Sequence, residues 1–138
     1  MANTHVNIDE LAAELPNGLH DALLRSYSED PARQRAEFLI DVWLGDLHSA
    51  VPAERERRRV ARLELLGLAY LVVDDGDPRF PITNGVPVQI DCCAADENPQ
   101  LTGQVPERGF AGRFFVTEWN AFIHFAACDV LLTWVGAN

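Results

Sequence analysis

The chain has no lysine, no long apolar run and no excess of basic residues. Its 11 basic residues are all arginine and they face 21 aspartates and glutamates, so the formal net charge is -10 at pH 7. A strongly acidic surface repels the phosphates of nucleic acids and of anionic membranes. No segment approaches the roughly 20 continuous apolar residues of a membrane-spanning helix. We therefore expect neither generic nucleic-acid binding nor membrane association.

Cysteine is scarce, and its placement indicates a reducing environment. Cys92 and Cys93 are adjacent and Cys128 stands alone, without the C-x-x-C spacing of metal and redox sites. Residues 1–5 have neither the cationic start nor the apolar segment of a secretory signal. We expect a cytoplasmic protein.

Common catalytic motifs are missing as well. There is no Gly-rich phosphate loop, no G-x-S-x-G nucleophile motif and no histidine pair at metal-ligand spacing. Asp74, Asp75 and Asp77 resemble part of a calcium loop, but the glycine and glutamate that must follow are absent, so a turn is predicted. These absences favour a protein that is not an enzyme and has no cofactor or metal.

The residues that are present fit one folded domain over residues 1–138. Hydrophobic side chains make up 48% of the chain, enough for a core at this length. Asn7 and Glu10 form a capping box ahead of apolar residues at helical spacing, and the turn at residues 16–18 ends that pattern. We expect an N-terminal helix and turn over residues 1–18 and a β domain over residues 19–138.

The β domain is predicted from apolar residues that alternate along short segments. Residues 35–47, 88–94, 112–119 and 121–135 alternate or are rich in β-branched and aromatic residues, with an expected bulge near Cys128. A short strand over residues 21–28 should place Ala22, Leu24 and Ser26 on one side. Residues 96–109 read as a polar loop. The fold class is therefore mainly β, a single-domain antiparallel β-sandwich or strongly curved open sheet of about seven strands with a short N-terminal helix.

Residues 52–66 combine two conflicting patterns. Residues 53–58 have high helix propensity, and Pro52 suits a first helical position. Ala61, Leu63 and Leu65 then alternate with polar residues, which is typical of a strand. We predict a polar turn to about residue 57 and a strand to Leu66, with a helix over residues 52–66 as the alternative.

Four residues are candidates for a pocket on one face of the sheet: His20, Asp21, Asp41 and His124. A histidine beside a carboxylate can serve as an acid–base pair, although the two must converge in space. Asp41 lies opposite the apolar positions of its strand, on the side of Trp43. The spacing of these residues does not require a metal, and we predict none.

Arginines are concentrated in one short segment. Residues 55–62 contain five arginines and one glutamate, a local charge of +4, so the rest of the chain carries -14. Such a cluster can dock an acidic partner or face the acidic surface of a second copy. The candidate binding residues are Arg55, Arg57, Arg58, Arg59 and Arg62.

Two segments of the chain resemble a known group of proteins: residues 15–22 (Leu-Pro-Asn-Gly-Leu-His-Asp-Ala) and residues 63–68 (Leu-Glu-Leu-Leu-Gly-Leu). They look like segments of a loose group of small bacterial proteins with an L-H-D-A motif before their first strand. Some members of that group are assigned as immunity proteins of contact-dependent toxin systems. The resemblance covers about half the chain, and it implies a small, mainly β fold, a strand at residues 59–66 and no established catalytic residues.

Charge and the missing catalytic motifs favour a non-enzymatic, protein-binding module, with an immunity-like inhibitor of a basic toxin as its most specific form. An acidic surface accelerates association with cationic partners. One alternative is a small-ligand binder or enzyme with a pocket on the sheet. Another is a homo-oligomeric structural protein that associates through a strand bearing tryptophan.

Overall fold

A computed structural model describes residues 3–5, 8–94 and 103–136 and has a mainly β fold. Two short α-helices, α1 (Ile8–Ala13) and α2 (Pro52–Arg55), and two 3-10 turns, Pro31–Arg33 and Thr117–Trp119, accompany the strands in these ranges. The described strands are β1 (Asn3–His5), β2 (Leu23–Asp30), β3 (Arg35–Trp43), β4 (Arg58–Leu66), β5 (Tyr70–Val73), β6 (Val88–Ala94), β7 (Phe110–Val116), β8 (Ala121–Ala127) and β9 (Asp129–Trp134). No helix in the described ranges is long and apolar enough to cross a membrane.

The nine strands form one open antiparallel sheet in the order β1-β9-β4-β3-β2-β6-β7-β8-β5. β4 leads through a short break into β5, and β8 leads through Cys128 into β9. The two breaks are adjacent, since the Cys128 amide donates to the Leu66 carbonyl at 2.9 Å. β4 pairs with β9, and β5 pairs with β8. The segments β4–β5 and β8–β9 are therefore two bent chains that lie side by side, although β4 and β5 stand far apart in the strand order. The sheet is therefore strongly curved, as one form of the prediction expected.

The bend depends on a glycine. Gly67 has a φ of 64°, and a Cβ atom placed there would lie 2.8 Å from the Cys128 Sγ atom. Only a residue without a side chain fits this left-handed position against the opposite strand. The bulge expected near Cys128 is this interruption. It divides the last predicted strand in two and, together with the short β1, raises the strand number above the prediction.

The core lies on the concave face of the sheet. Ala36, Phe38, Ile40 and Val42 are all buried, which confirms the alternation predicted for β3. The Phe38 ring packs against aromatic rings from β7 and β8, 5.3 Å and 5.9 Å away between centroids.

One prediction for β2 is wrong. A bulge shifts the register after Leu24, so that Ser26 pairs with Leu39 and Tyr27 pairs with Phe38. Ala22 and Leu24 are buried as expected. Ser26 faces the outer side of the sheet instead, because the extra residue in the bulge reverses the alternation.

The predictions for the N-terminal helix and for residues 52–66 are confirmed, but both helical segments are short. α1 buries Ile8 and Leu11 but is only one and a half turns long. α2 is a single turn, and the chain then enters β4 and keeps a strand geometry to Leu66. The alternative helix over residues 52–66 is therefore wrong beyond α2. Of the predicted loop at 96–109, residues 96–102 lie outside the described residues, as do the side chains of Cys92 and Cys93.

Candidate functional site

A cleft of about 290 Å³ opens where the turn before β2 meets the loop after β3. Its lining residues are Asn17, His20, Asp21, Trp43 and Leu47, and we call it the His20 cleft. The Trp43 ring and the Leu47 side chain, which is 61% exposed, form its apolar wall. His20 and Asp21 form the polar wall.

Side-chain hydrogen bonds to the backbone hold the cleft together. The Asn17 amide donates to the carbonyl oxygens of Trp43 at 3.1 Å and Gly45 at 3.0 Å. The Trp43 indole N–H in turn donates to the Asp21 carbonyl oxygen at 2.8 Å. These bonds join the turn after α1 to the end of β3, so the predicted turn at residues 16–18 becomes a wall of the site.

Gly45 lets α2 pack closely against the loop beside the cleft. A Cβ atom placed on Gly45 would lie 2.1 Å from the Glu54 carbonyl oxygen and 2.3 Å from that of Arg55. The amides of Leu44 and Gly45 both donate to the Arg57 carbonyl oxygen, at 2.8 Å and 3.1 Å. The loop that carries Leu47 is therefore anchored by backbone contacts.

His20 and Asp21 are both oriented by partners on β6. Asp21 has a φ of 59°, a left-handed conformation in which aspartate is several-fold enriched. Its Oδ1 atom accepts a hydrogen bond from the side-chain amide (Nε2) of Gln89 at 2.6 Å. The His20 Nδ1 atom lies 2.9 Å from the Asp91 carbonyl oxygen. Because a carbonyl can only accept, Nδ1 carries a proton, so in the neutral ring the lone pair is on Nε2.

Asp91 adds a second carboxylate to this group. The His20 Nε2 atom lies 3.5 Å from Asp21 Oδ2, and His20 Nδ1 lies 3.7 Å from Asp91 Oδ1. The side chains of His20, Asp21 and Asp91 are 68%, 50% and 48% exposed. Among the described residues, His20 is the partner of both carboxylates and no arginine pairs with either of them.

The structure brings together only two of the four predicted pocket residues, His20 and Asp21. Asp41 is buried on β3, where its Oδ2 atom accepts from the Arg25 guanidinium at 3.0 Å. His124 is buried on β8, with its Nε2 atom 2.7 Å from Asp74 Oδ1. Asp74 also accepts from the Phe122 amide at 3.0 Å, which joins β8 to the end of β5.

The arginine cluster is spread over different surfaces. Alternate residues of a strand face opposite sides, so Arg58 and Arg62 point outward while Arg59 turns toward Trp134. The Arg58 and Arg59 guanidinium groups stack on the rings of Trp43 and Trp134, at 4.8 Å and 5.0 Å from the ring centroids.

The remaining three cluster members also have partners within the chain. Arg62 donates to Glu37 at 2.9 Å, and Arg57 lies 3.7 Å from Glu54. Arg55 donates to the Ser49 carbonyl oxygen at 3.3 Å. The local charge of +4 is thus largely committed to contacts inside the protein.

Sequence reasoning missed Asp91, Gln89, Asn17 and Leu47. Asp91 lies 71 positions from His20 in the chain and reaches it because β2 pairs with β6. Asn17 was read only as a turn residue, although its side chain is what fixes the turn to β3. Searches against models of protein families, curated proteins and solved structures find no match to this chain.

Proposed function

We propose that this protein is a non-enzymatic, protein-binding module that receives a cationic side chain of a basic partner in the His20 cleft. One observation carries the proposal: Asp21 and Asp91 are half-exposed carboxylates that no arginine of the described residues neutralises. Asp21 also lines the cleft together with the apolar side chains of Trp43 and Leu47. This combination suits arginine or lysine, whose charged end and apolar stem need different surroundings.

In such a complex the guanidinium of the partner lies between the Asp21 and Asp91 carboxylates and donates to both. Its apolar stem packs against Leu47 and the Trp43 ring, one face of which already carries the Arg58 guanidinium. The net charge of -10 draws a basic partner toward the protein over a longer range.

An immunity-like inhibitor of a basic toxin is the specific form that we propose. Within the L-H-D-A motif, Leu19 and Ala22 are buried, whereas His20 and Asp21 line the cleft. The motif therefore combines two residues that anchor the turn with two that face a partner. The arginine cluster supports a partner surface less well, because its members already bind groups in the chain.

The test is a titration of nitrogen-15-labelled protein with a short Arg-Gly repeat peptide, compared with the same peptide in which citrulline replaces arginine. Citrulline keeps the shape and removes the charge. We expect shifts at the Trp43 indole and at the amides of Asp21 and Asp91 with the arginine peptide, weakening as salt is added.

Asp21→Asn should weaken binding about threefold, as expected for one exposed ion pair. Asn tolerates the left-handed conformation, so the turn is retained. Asp75→Asn is the matched control, because it removes an equal charge from an exposed loop position outside the cleft. Equal binding of the citrulline peptide, or equal weakening by both variants, would overturn the proposal.

A small-ligand binder is the second candidate, favoured by the apolar wall of the cleft. Its volume of about 290 Å³ lies at the lower limit of ligand pockets, and it is open to solvent. Small neutral aromatic compounds that shift the Trp43 indole signal more strongly than the arginine peptide would favour this alternative.

A further inference from the structure

The geometry points to a binding site for a divalent transition-metal ion such as Zn²⁺, with His20, Asp21 and Asp91 as its protein ligands. Each of the three residues places a ligand atom within 4.8 Å of the other two. A ring nitrogen combined with carboxylate oxygens is a donor set that suits Zn²⁺ better than Mg²⁺ or Ca²⁺, which prefer oxygen alone.

The His20 ring is oriented in the way that metal-binding histidines are. Metal-binding histidines usually donate their second ring N–H to a carbonyl or carboxylate, which fixes the tautomer. The His20 Nδ1 atom does this with the Asp91 carbonyl oxygen at 2.9 Å. In the neutral ring the lone pair is then on Nε2, which lies 3.5 Å from Asp21 Oδ2.

Asp21 is oriented in the same manner. The Gln89 amide holds Oδ1 at 2.6 Å, which leaves Oδ2 facing His20. The Oδ2 atom lies 3.5 Å from His20 Nε2, too far for a good hydrogen bond. Two ligand atoms in tetrahedral zinc sites, each about 2.0–2.1 Å from the metal, are separated by about 3.4 Å. The distance between His20 Nε2 and Asp21 Oδ2 is therefore close to that of two ligand atoms on one zinc ion.

Asp91 would supply the third ligand from β6. Its Oδ1 atom lies 3.7 Å from His20 Nδ1, so the side chain must rotate toward Nε2 to share a metal with Asp21. Three protein ligands leave the fourth position of a tetrahedral site open. An open position of this kind accepts water or a donor atom of a bound molecule. The site therefore gives the cleft a means of binding a group that coordinates metal, which the proposal of a basic partner does not require.

The experiment is a Zn²⁺ titration of full-length protein carrying Cys92→Ser and Cys93→Ser, so that these thiols do not bind the ion. Calorimetry gives the affinity, and the imidazole nitrogen-15 spectrum identifies the ligand. We expect a shift of the His20 Nε2 signal while the His48 signal stays unchanged. Mg²⁺ at the same concentration should leave both signals in place.

His20→Asn keeps an amide donor for the Asp91 carbonyl and removes Nε2, so we expect the affinity for Zn²⁺ to fall by about 10- to 100-fold. Gln89→Ala, which frees Asp21 Oδ1, should lower it by about tenfold. His48→Asn is the matched control and should have no effect. Absence of Zn²⁺ binding, or equal losses in His20→Asn and His48→Asn, would overturn the inference.

The two proposals fail separately. His20→Asn retains both carboxylates, so binding of the arginine peptide should persist while Zn²⁺ binding is lost. Asp91→Asn should weaken both. A protein that binds Zn²⁺ but not the peptide would retain the metal site and refute the proposed function.

Discussion

Two charged regions of this protein differ in whether their carboxylates are paired with arginine. On the outer face of β2, β3 and β4, three arginines face three carboxylates across neighbouring strands, and we call this the ion-pair ladder. Its pairs are Arg25–Asp41, Arg62–Glu37 and Arg35–Glu64. At His20, on the polar wall of the His20 cleft, the carboxylates of Asp21 and Asp91 face a single imidazole.

The comparison locates the excess negative charge. The ladder is neutral overall, and a cleft of about 260 Å³ beside it is lined by side chains whose charges pair with one another. Such a surface offers an incoming charge little that is not already bound. The net charge of -10 therefore includes carboxylates without an arginine partner, such as those beside His20, where we propose that a cation of a partner binds.

The regions also differ in how they are built. The ladder follows from strand register, since Glu37 lies opposite Glu64 and beside Arg62 in the β3–β4 pairing. Many backbone hydrogen bonds fix that register. The cleft depends on the Asn17 side chain and on one close backbone approach at Gly45. We therefore expect it to be the easier of the two to disrupt.

Gly45→Ala should have the largest effect. The added methyl group would meet the backbone of α2 at 2.1 Å, and α2 cannot yield by rotating a side chain. We expect a loss of about 3 kcal/mol in the free energy of unfolding, measured with urea. The loop carrying Leu47 should move, so that peptide and Zn²⁺ binding both fall while ladder signals in the nitrogen-15 spectrum persist.

Gly103→Ala is the control for this prediction, because nothing lies within 4 Å of a Cβ atom at that position. It should change the stability by no more than about 0.5 kcal/mol. If Gly45→Ala is equally mild, α2 does not approach the loop as closely as described.

The outward-facing residues of the ion-pair ladder could largely be predicted from the sequence, whereas the residues that form the His20 cleft could not. Alternation along residues 35–43 predicts which side chains of β3 face outward, including Glu37 and Asp41. In residues 52–66, burial of Ala61, Leu63 and Leu65 outweighs the helix propensity of the preceding segment, because short helices gain little stability from propensity alone.

The cleft could not be predicted, since it unites segments far apart in sequence. Alternation does not indicate that β2 lies beside β6, so it cannot join His20 to Asp91. The bulge in β2 likewise cannot be recognised from the sequence, and it reverses the alternation after Leu24, so that Ser26 faces the outer side of the sheet. Pairing partners and register breaks thus decide which candidate residues converge.

Substitutions within the ladder should separate burial from charge. Asp41 keeps only 8% of its side chain exposed, whereas Glu37 and Arg62 are each 43% exposed. Arg25→Gln leaves a buried carboxylate without its cation, and we expect a loss of about 1–3 kcal/mol. Arg62→Gln should cost less than about 1 kcal/mol.

Asp41→Asn provides the check on this second prediction. Combined with Arg25→Gln, it removes the unpaired buried charge and should restore part of the stability in urea unfolding. A double variant as unstable as the sum of its parts would show that the two residues do not interact.

The smallest effect is expected at an ion pair that belongs to neither region. The Arg79 guanidinium, helped by the Arg79 amide, holds the pKa of the Asp77 carboxyl below its ordinary value of 3.8. A lowered pKa stabilises the fold at pH values above the ordinary pKa, and that contribution is lost as the pH falls through the lowered pKa.

Arg79→Gln removes the guanidinium and keeps the amide, so the Asp77 pKa should rise toward 3.8 without reaching it. A carbon-13 titration of the carboxyl group measures this change, and an unchanged pKa would contradict it. Because the Arg79 side chain is 81% exposed and solvent screens its charge, the contribution of the pair to stability at neutral pH should be small. A small effect would separate the presence of an ion pair from the burial that gives Arg25–Asp41 its effect.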